Sequence, residues 1–487
     1  IAPGTVIISA GGNCSDVKQV VEPVLQRNGG NIYYVNLSQD VFKLGGSSFA
    51  QILNKVGTDV PSVLDAAFFK KAFNLVQDLI KAGQIKAGHD IGSGGLVTTL
   101  LEMSFADVNL GASYDLSSLG EEDFVKVLFN ENIGIVFQAD AAVEEAFVNE
   151  GIGLFNIGQV VEGETVTIKH QTDEIILNVS ELRDIWFKTS YLLDRKQSRN
   201  GMAEARFANY KNQALNYQFP TQFTGQKPSI AAGPKPKAAI IREKGSNSER
   251  EMANAMFLAG FDVKDVHMTD LISGRETLED IQFIGAVGGF SNSDVLGSAK
   301  GWAGAFLYNE QANTALKKFF AREDTLSVGI CNGCQLLMEL ELINPDHEVH
   351  GKMHHNTSHK HESIFTSVTI QENKSVMLST LAGTTLGVWV SHGEGKFNLP
   401  YEEARYNIVG KYGYDSYPAN PNGSDFNTAM LCDNTGRHLV MMPHIERSTF
   451  PWNWANYPAD RKNDEVSPWL EAFVNAKKWI DAKNEVK

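Results

Sequence analysis

Residues 326–340, LSVGICNGCQLLMEL, place a thiol where it can act as a nucleophile. Leu326, Val328 and Ile330 make the apolar run of a buried strand, and Leu336, Leu337 and Leu340 recur at helical spacing. Gly333 lies between the two halves and Cys331 sits at the corner. Unpaired backbone N–H groups at a helix N-terminus favour an anion, so they populate the thiolate. This is a nucleophile elbow with sulfur in place of oxygen. Other readings stand beside it. Cys331 and Cys334 form a C-x-x-C that suits a redox pair or half a zinc site, although the other cysteines, Cys14 and Cys432, are isolated. An inert buried cysteine is the remaining alternative.

A thiol nucleophile needs a base, and the base needs an orienting group. The strand expected over 437–442 runs into Pro443-His444-Ile445-Glu446, and alternation along an extended chain points His444 and Glu446 to the same side. Acyl transfer also needs donors for a developing oxyanion. The Asn332 N–H can serve, with a second N–H from Gly288, Gly289 or Phe290, where side-chain-free glycines admit a substrate carbonyl. A tight turn is the alternative for the glycines. The loop Ser391-His392-Gly393-Glu394-Gly395 follows an expected strand and reads as substrate-facing. Six histidines (347, 350, 354, 355, 359 and 361) lack ordered spacing and clear carboxylate partners, so they read as a polar, partly solvated loop. In the first half, Gly92, Gly94 and Gly95 precede a helix expected over 96–106 and form a candidate phosphate-approach loop. Asp90 beside it is a candidate metal or nucleotide ligand, with packing or a turn as the alternative reading of the glycines.

These residues need elements to hold them. After residue 237, strands at 237–242, 261–267, 281–287 and 326–330 alternate with helices, one of them long, over 301–320. That alternation predicts a mostly parallel sheet with ligands at the carboxyl ends of its strands. A closing helix is expected over 467–480. Before it all, strands at 1–10, 31–37, 133–138, 155–161 and 165–169, with helices over 66–82, 141–149 and 181–197, predict a mixed α+β domain. Phe69, Phe73, Val76 and Ile80 give the first of those helices its apolar stripe. Pro220 to Pro236 carries four prolines and two glycines, so 201–236 is the expected linker between domains 1–200 and 237–487.

Bulk composition narrows the function. A chain of 487 residues supports two or three domains, and a net charge of −15 argues against nucleic acid or an anionic membrane as partner. No run approaches the roughly 18 apolar residues of a membrane span. Four scattered cysteines fit a reducing, cytoplasmic setting. The chain starts at Ile1 inside an apparent strand and reads as a piece of something longer.

The strings GGFSNSDVLGSAKGWA, GICNGCQLLMEL, NTS (356–358), SHGEG, YPANPNG and MMPHIERS resemble the glutaminase domain of the large, single-chain phosphoribosylformylglycinamidine synthase family. LGGSSFAQIL, GHDIGSGGLVTTLLEM and LFNENIGIVFQ resemble the C-terminal half of the same family's synthase region. The resemblance implies an aminoimidazole ribonucleotide synthetase-type α/β domain followed by a flavodoxin-like, doubly wound class I glutaminase domain. It implies Cys331 as nucleophile, His444 as base and Glu446 as its orienter. Glutamine would be held by Gln335, by Asn356, Thr357 and Ser358, and by His392, Gly393, Glu394 and Gly395. Released ammonia would pass to the synthase region, where ATP, with Mg2+, activates formylglycinamide ribonucleotide. Those sites are expected mainly on an N-terminal synthase region outside this chain, its expected partner. One departure falls at 89–95, where HDIGSGG replaces the family's H-D-x-S-D-G-G; Asp90 is kept. The rival readings are a cysteine hydrolase or peptidase on a related flavodoxin-like scaffold, and a non-enzymatic, zinc-binding docking fragment.

Overall fold

The computed structural model describes residues 8–212, 215–230, 233–414 and 416–485. Contacts divide the chain into two compact units, Ile1–Ser190 and Tyr191–Lys487. Of the strand expected over 1–10, residues 1–7 lie outside the described residues, and 8–10 are not strand. The division falls inside the helix Val179–Gln197, and the segment 201–236 counts with the second unit and begins with a helix, Met202–Asn209.

In the first unit a six-stranded sheet runs Ile85–Asp90, Gly134–Ala139, Asn31–Asn36, Phe155–His170, Leu110–Asp115, with Asp173–Asn178 paired to the long fourth strand. The two strands expected at 155–161 and 165–169 are one, continuous through Gly163 at φ +113°, which a side chain would resist. The helix Ala66–Lys81 buries Ala72, Val76 and Leu79, so its inner face is rotated from the aromatic stripe. Phe69 and Phe73 instead stack on each other with centroids 6.2 Å apart, and Phe73 is exposed. Small Ala72 lets the helix approach the sheet more closely than a phenylalanine would.

The second unit carries a nine-stranded sheet. Its parallel half runs Asp262–His267, Lys237–Arg242, Phe283–Ala286, Leu326–Ile330, His438–Met441. In chain order that is 2-1-3-4-5, the flavodoxin-like doubly wound order. Four antiparallel strands, Thr428–Cys432, Asn407–Tyr412, Glu362–Ile370 and Thr385–His392, extend it past the fifth. Two apolar clusters cover the parallel half. One contains Met252, Met256, Trp469 and Phe473, and the other Trp302, Phe306, Leu316 and Phe319. The helix expected over 301–320 is two, Lys300–Leu307 and Glu310–Ala321, because Asn309 leaves helical geometry and its side chain caps the second by accepting from the Ala312 N–H at 2.9 Å. Among the described residues no helix is long and apolar enough to cross a membrane.

Gly333 sets how closely the helix after Cys331 lies on the sheet. A Cβ there would fall 2.0 Å from the Ala286 carbonyl oxygen of the neighbouring strand. Gly333→Ala is therefore expected to destabilise the second unit by about 1–3 kcal/mol or more, read as a lower denaturant midpoint at unchanged slope.

Candidate active site

Cys331 ends the strand Leu326–Ile330 and caps the helix Asn332–Glu339, at φ +52° and ψ −107°. An L-residue holds that backbone only under strain from its surroundings. Part of the restraint is its N–H, which donates to the Met441 carbonyl at 2.9 Å and ties the elbow to the next parallel strand. The thiol Sγ lies 3.5 Å from the Ser391 carbonyl oxygen. Cys334, one turn on, is wholly buried; burial, then the nearby Cys331, push its thiol well above the ordinary range. It is an inert core group by that measure.

His444 follows the strand His438–Met441, and its N–H donates to the Trp389 carbonyl at 2.8 Å. Its Nδ1 is 2.7 Å from Glu446 Oε1, and both side chains are buried. The segment after the strand is a short turn of 3-10 helix, Ile445–Arg447, so the pair meets across a turn and not along an extended chain. Burial opposes charge on the imidazole, but the Glu446 carboxylate and the hydrogen bond and charge of Cys331 outweigh it and raise His444 to about 10. Gly288 sits where the two meet: a Cβ there would lie 2.9 Å from His444 Cε1 and 3.5 Å from Cys331 Cβ.

Donors for an oxyanion are narrowed by what the glycine turn already spends. The Gly288 N–H points to Ser248 Oγ at 3.4 Å and the Phe290 N–H donates to the Gly245 carbonyl at 2.9 Å. That leaves the Gly289 N–H of the stretch for such a role, alongside the Asn332 N–H in the first turn of its helix, which has no intrahelical acceptor. Gly289 has φ +112° and packs against Ser246 and Asn247, where a side chain would clash.

A cavity of about 350 Å³ opens over Cys331 and is walled by Gln335, Lys360, Glu394, Asp294 and His444. Of the expected glutamine-holding residues, Gln335, His392, Gly393 and Glu394 line it. Asn356, Thr357, Ser358 and Gly395 do not; they lie behind the lining. Asn356 works as a clamp: its N–H donates to the Gly393 carbonyl (2.9 Å), and its Nδ2 to the His392 (2.7 Å) and Lys360 (3.0 Å) carbonyls. Its Oδ1 accepts the Gly395 N–H at 3.0 Å. Thr357 Oγ1 turns to the Asn422 carbonyl, 3.4 Å away, and Ser358 is fully buried. Gln335 is itself fixed, donating to the Glu394 carbonyl and accepting from Asn332 Nδ2, each at 2.8 Å. His392 is buried and neutral: burial, then His444 and His361, lower it to about 3.

The sequence reading missed Asp294, Lys360, and three of the six clustered histidines as cavity wall. His355, His359 and His361 line it, whereas His347 packs on Tyr401 and Tyr406 and His350 meets Glu341 at 3.3 Å. Their place on either side of the NTS string, His355 directly before it and His359 and His361 after, was the available signal. Glu394 accepts from Ser298 Oγ. Burial, then Glu394, raise Asp294 above the usual carboxylate range. A second cavity, about 600 Å³, lies on the other side of His444 and is lined by Trp389, Glu446, Phe450 and Trp452.

In the first unit Asp90 ends a strand with its carboxylate exposed, 3.5 Å from His89 Nδ1. Two glycines of the loop beside it have close neighbours. Glu131 Oε1 accepts the Gly94 N–H at 2.9 Å, and a Cβ on Gly95 would fall 2.6 Å from the Phe129 carbonyl carbon. Gly95 thus serves close packing, and a carboxylate already accepts the Gly94 amide within this unit. Among the described residues no group of three or more His, Cys, Asp or Glu side chains could hold a metal ion.

Comparison with known proteins adds the following. The family of CobB/CobQ-like glutamine amidotransferase domains matches residues 235–480, and the C-terminal domain of AIR synthase related proteins matches 29–171. The chain is 38% identical over 518 residues to the "Probable phosphoribosylformylglycinamidine synthase, chloroplastic/mitochondrial" of Arabidopsis thaliana, covering 99% of this chain and 36% of that protein. It is 37% identical over 516 residues to the phosphoribosylformylglycinamidine synthase of Homo sapiens, covering 98% of this chain and 38% of that one. It thus spans well under half the length of the curated relatives it matches. Among solved structures it is similar to PurLQS from Thermotoga maritima, with TM-score 0.38 and 24% identity over 52% of this chain and 100% of that chain.

Proposed function

We propose, because this chain belongs to the family of CobB/CobQ-like glutamine amidotransferase domains, that its second unit hydrolyses glutamine to supply ammonia to a ligase. The ligase reaction converts formylglycinamide ribonucleotide, glutamine and ATP to formylglycinamidine ribonucleotide, glutamate, ADP and phosphate. The two relatives of that name match both units of this chain in order, which supports the reading. The single observation that carries the glutaminase part is that Cys331 and His444 meet beside Gly288 and line one cavity, with Glu446 hydrogen-bonded to His444 from behind.

The chemistry follows from the geometry. Cys331 Sγ, held as thiolate beside a protonated His444, attacks the side-chain amide carbon of glutamine. The carbonyl oxygen becomes an oxyanion facing the Gly289 and Asn332 N–H groups. His444 gives its proton to the amide nitrogen, the C–N bond breaks, and ammonia leaves a glutamyl thioester on Cys331. Water then loses a proton to His444 and attacks the thioester; the C–S bond breaks, glutamate leaves, and the thiolate–imidazolium pair returns. Asp294 and Glu394 suit the ammonium end of glutamine, and Lys360 and Arg447 on the same cavity suit its α-carboxylate. ATP and Mg2+ belong to the remainder of the enzyme in this reading, and no step here is routed through them.

The test is a diazoketone analogue of glutamine, with the labelled residue found by mass spectrometry. Label on Cys331, blocked by excess glutamine, is expected. A Cys331 that reacts with iodoacetamide but ignores the analogue would overturn the assignment and favour a hydrolase of other substrates.

A further inference from the structure

The family match begins at residue 235, yet the second unit begins at Tyr191, and several described residues between are bonded to Lys360 of the cavity wall or to the segment 357–362 around it. Asp194, near the end of the helix Val179–Gln197, takes the Lys360 ammonium on Oδ1, together with Ser198 Oγ at 2.6 Å. Its Oδ2 pairs with Arg206 Nη1 at 3.4 Å. Arg206, on the helix Met202–Asn209, donates from Nη2 to Glu362 Oε2 at 2.5 Å and bonds to the Tyr417 hydroxyl, which itself donates to Glu362 Oε1 at 2.9 Å. Its guanidinium lies 5.0 Å from the Tyr417 ring centroid.

Backbone contacts reinforce the same attachment. The Arg199 N–H donates to the Ser358 carbonyl (2.9 Å), Asn200 Nδ2 to the Thr357 carbonyl (2.8 Å) and Asn209 Nδ2 to the Tyr417 carbonyl (2.8 Å). These are not the contacts of a solvated tether. Glu362 is 2% exposed, and a carboxylate that deep requires a hydrogen-bonded cation, which Arg206 supplies. Lys360 is part of the cavity wall, and its carbonyl is gripped by Asn356, the clamp of the loop 392–395.

We propose that Asp194 and Arg206 are positioning residues for the glutamine pocket, fixing Lys360 and the segment 356–362 from a stretch of chain that lies outside the recognised amidotransferase domain. This rests on the glutaminase reading. Neither residue lines the cavity; both act through residues that do or that hold its loop. With Asp194→Asn, the Lys360 head loses its charged partner and is free to leave the wall, while Cys331 and His444 are untouched. The expected signature is a change in ligand affinity with the chemistry preserved.

The experiment uses the full chain and measures saturation labelling of Cys331 by the diazoketone analogue, beside its reaction with iodoacetamide. For Asp194→Asn, the half-saturating analogue concentration is expected to rise about tenfold, as for loss of a charged hydrogen bond. The limiting labelling rate and the iodoacetamide rate should stay within about twofold. Arg206→Lys keeps the charge but loses the fork, and a rise of several-fold is expected; it carries the test if Asp194→Asn does not fold. Unchanged half-saturation in the folded variants would overturn the proposal, as would a parallel fall in iodoacetamide reactivity, the mark of general loosening. A wild-type chain that takes no label would instead bring down the glutaminase reading itself, an outcome separate from both.

Discussion

Cys331→Ala is expected to cut glutamate release from glutamine by about 10⁴-fold or more and to leave the fold intact. The size follows from the absence of a substitute. Cys334 is buried with its thiol held protonated, and Cys432 is likewise buried and raised to about 12, first by burial and then by Asp433. Neither thiol can take over. Alanine keeps the Cβ and the N–H bond to Met441, so circular dichroism and the denaturation midpoint are expected to stay close to wild type. Glutamate release near the wild-type rate would remove Cys331 from the mechanism altogether.

Glu446→Gln is the second large effect, expected to cut turnover by about 10²–10⁴-fold. His444 is buried, which by itself pushes its pKa down; Glu446 is the leading cause that pushes it up to about 10. Without the carboxylate, burial is opposed by Cys331 alone, so the imidazole is expected to hold its proton less firmly and to supply it less readily to the departing ammonia. Stability carries the same sign. A histidine raised in the folded state stabilises fully below its unfolded pKa, about 6.5, and loses that contribution as pH climbs towards about 10. Denaturation of the wild type is thus expected to become easier between pH 7 and 10. In Glu446→Gln that loss is expected to shrink and to move to lower pH, because burial is then opposed by Cys331 alone. Parallel pH profiles for the two proteins would contradict the pairing.

Much of this was legible in the chain, for identifiable reasons. The elbow could be read because an apolar strand and a helical leucine pattern meet at Cys331, and both periods are local. The parallel half of the sheet followed from strand–helix alternation, and its doubly wound order was implied by the family resemblance. The break in the helix over 301–320 was written there too, in Asn309 followed by Glu310, the sequence of a fresh helix start. What sequence could not give was long-range pairing. Asp194 and Lys360 are 166 residues apart, and Arg206 and Glu362 156. A polar, proline-bearing composition across 201–236 therefore read as a tether, when Arg206 and its neighbours were in fact bound. Asn356 illustrates the same limit: the resemblance implied ligand contact, and only the fold shows all its polar groups committed to backbone. At Gly95 a phosphate loop and a packing constraint share one sequence signature, and the fold shows the packing.

The +52° φ of Cys331 sets folding and selection against each other at this one position. A strained non-glycine residue of this kind costs on the order of 1–3 kcal/mol, which a glycine would largely recover. Mutational drift towards glycine at 331 would then yield a protein at least as durable as the parent, present at normal abundance and catalytically silent. Cellular quality control, which senses exposed apolar chain, has no purchase on such a variant. Among natural variants, loss at this residue would escape any screen based on protein level, and only a direct assay for ammonia release would find it.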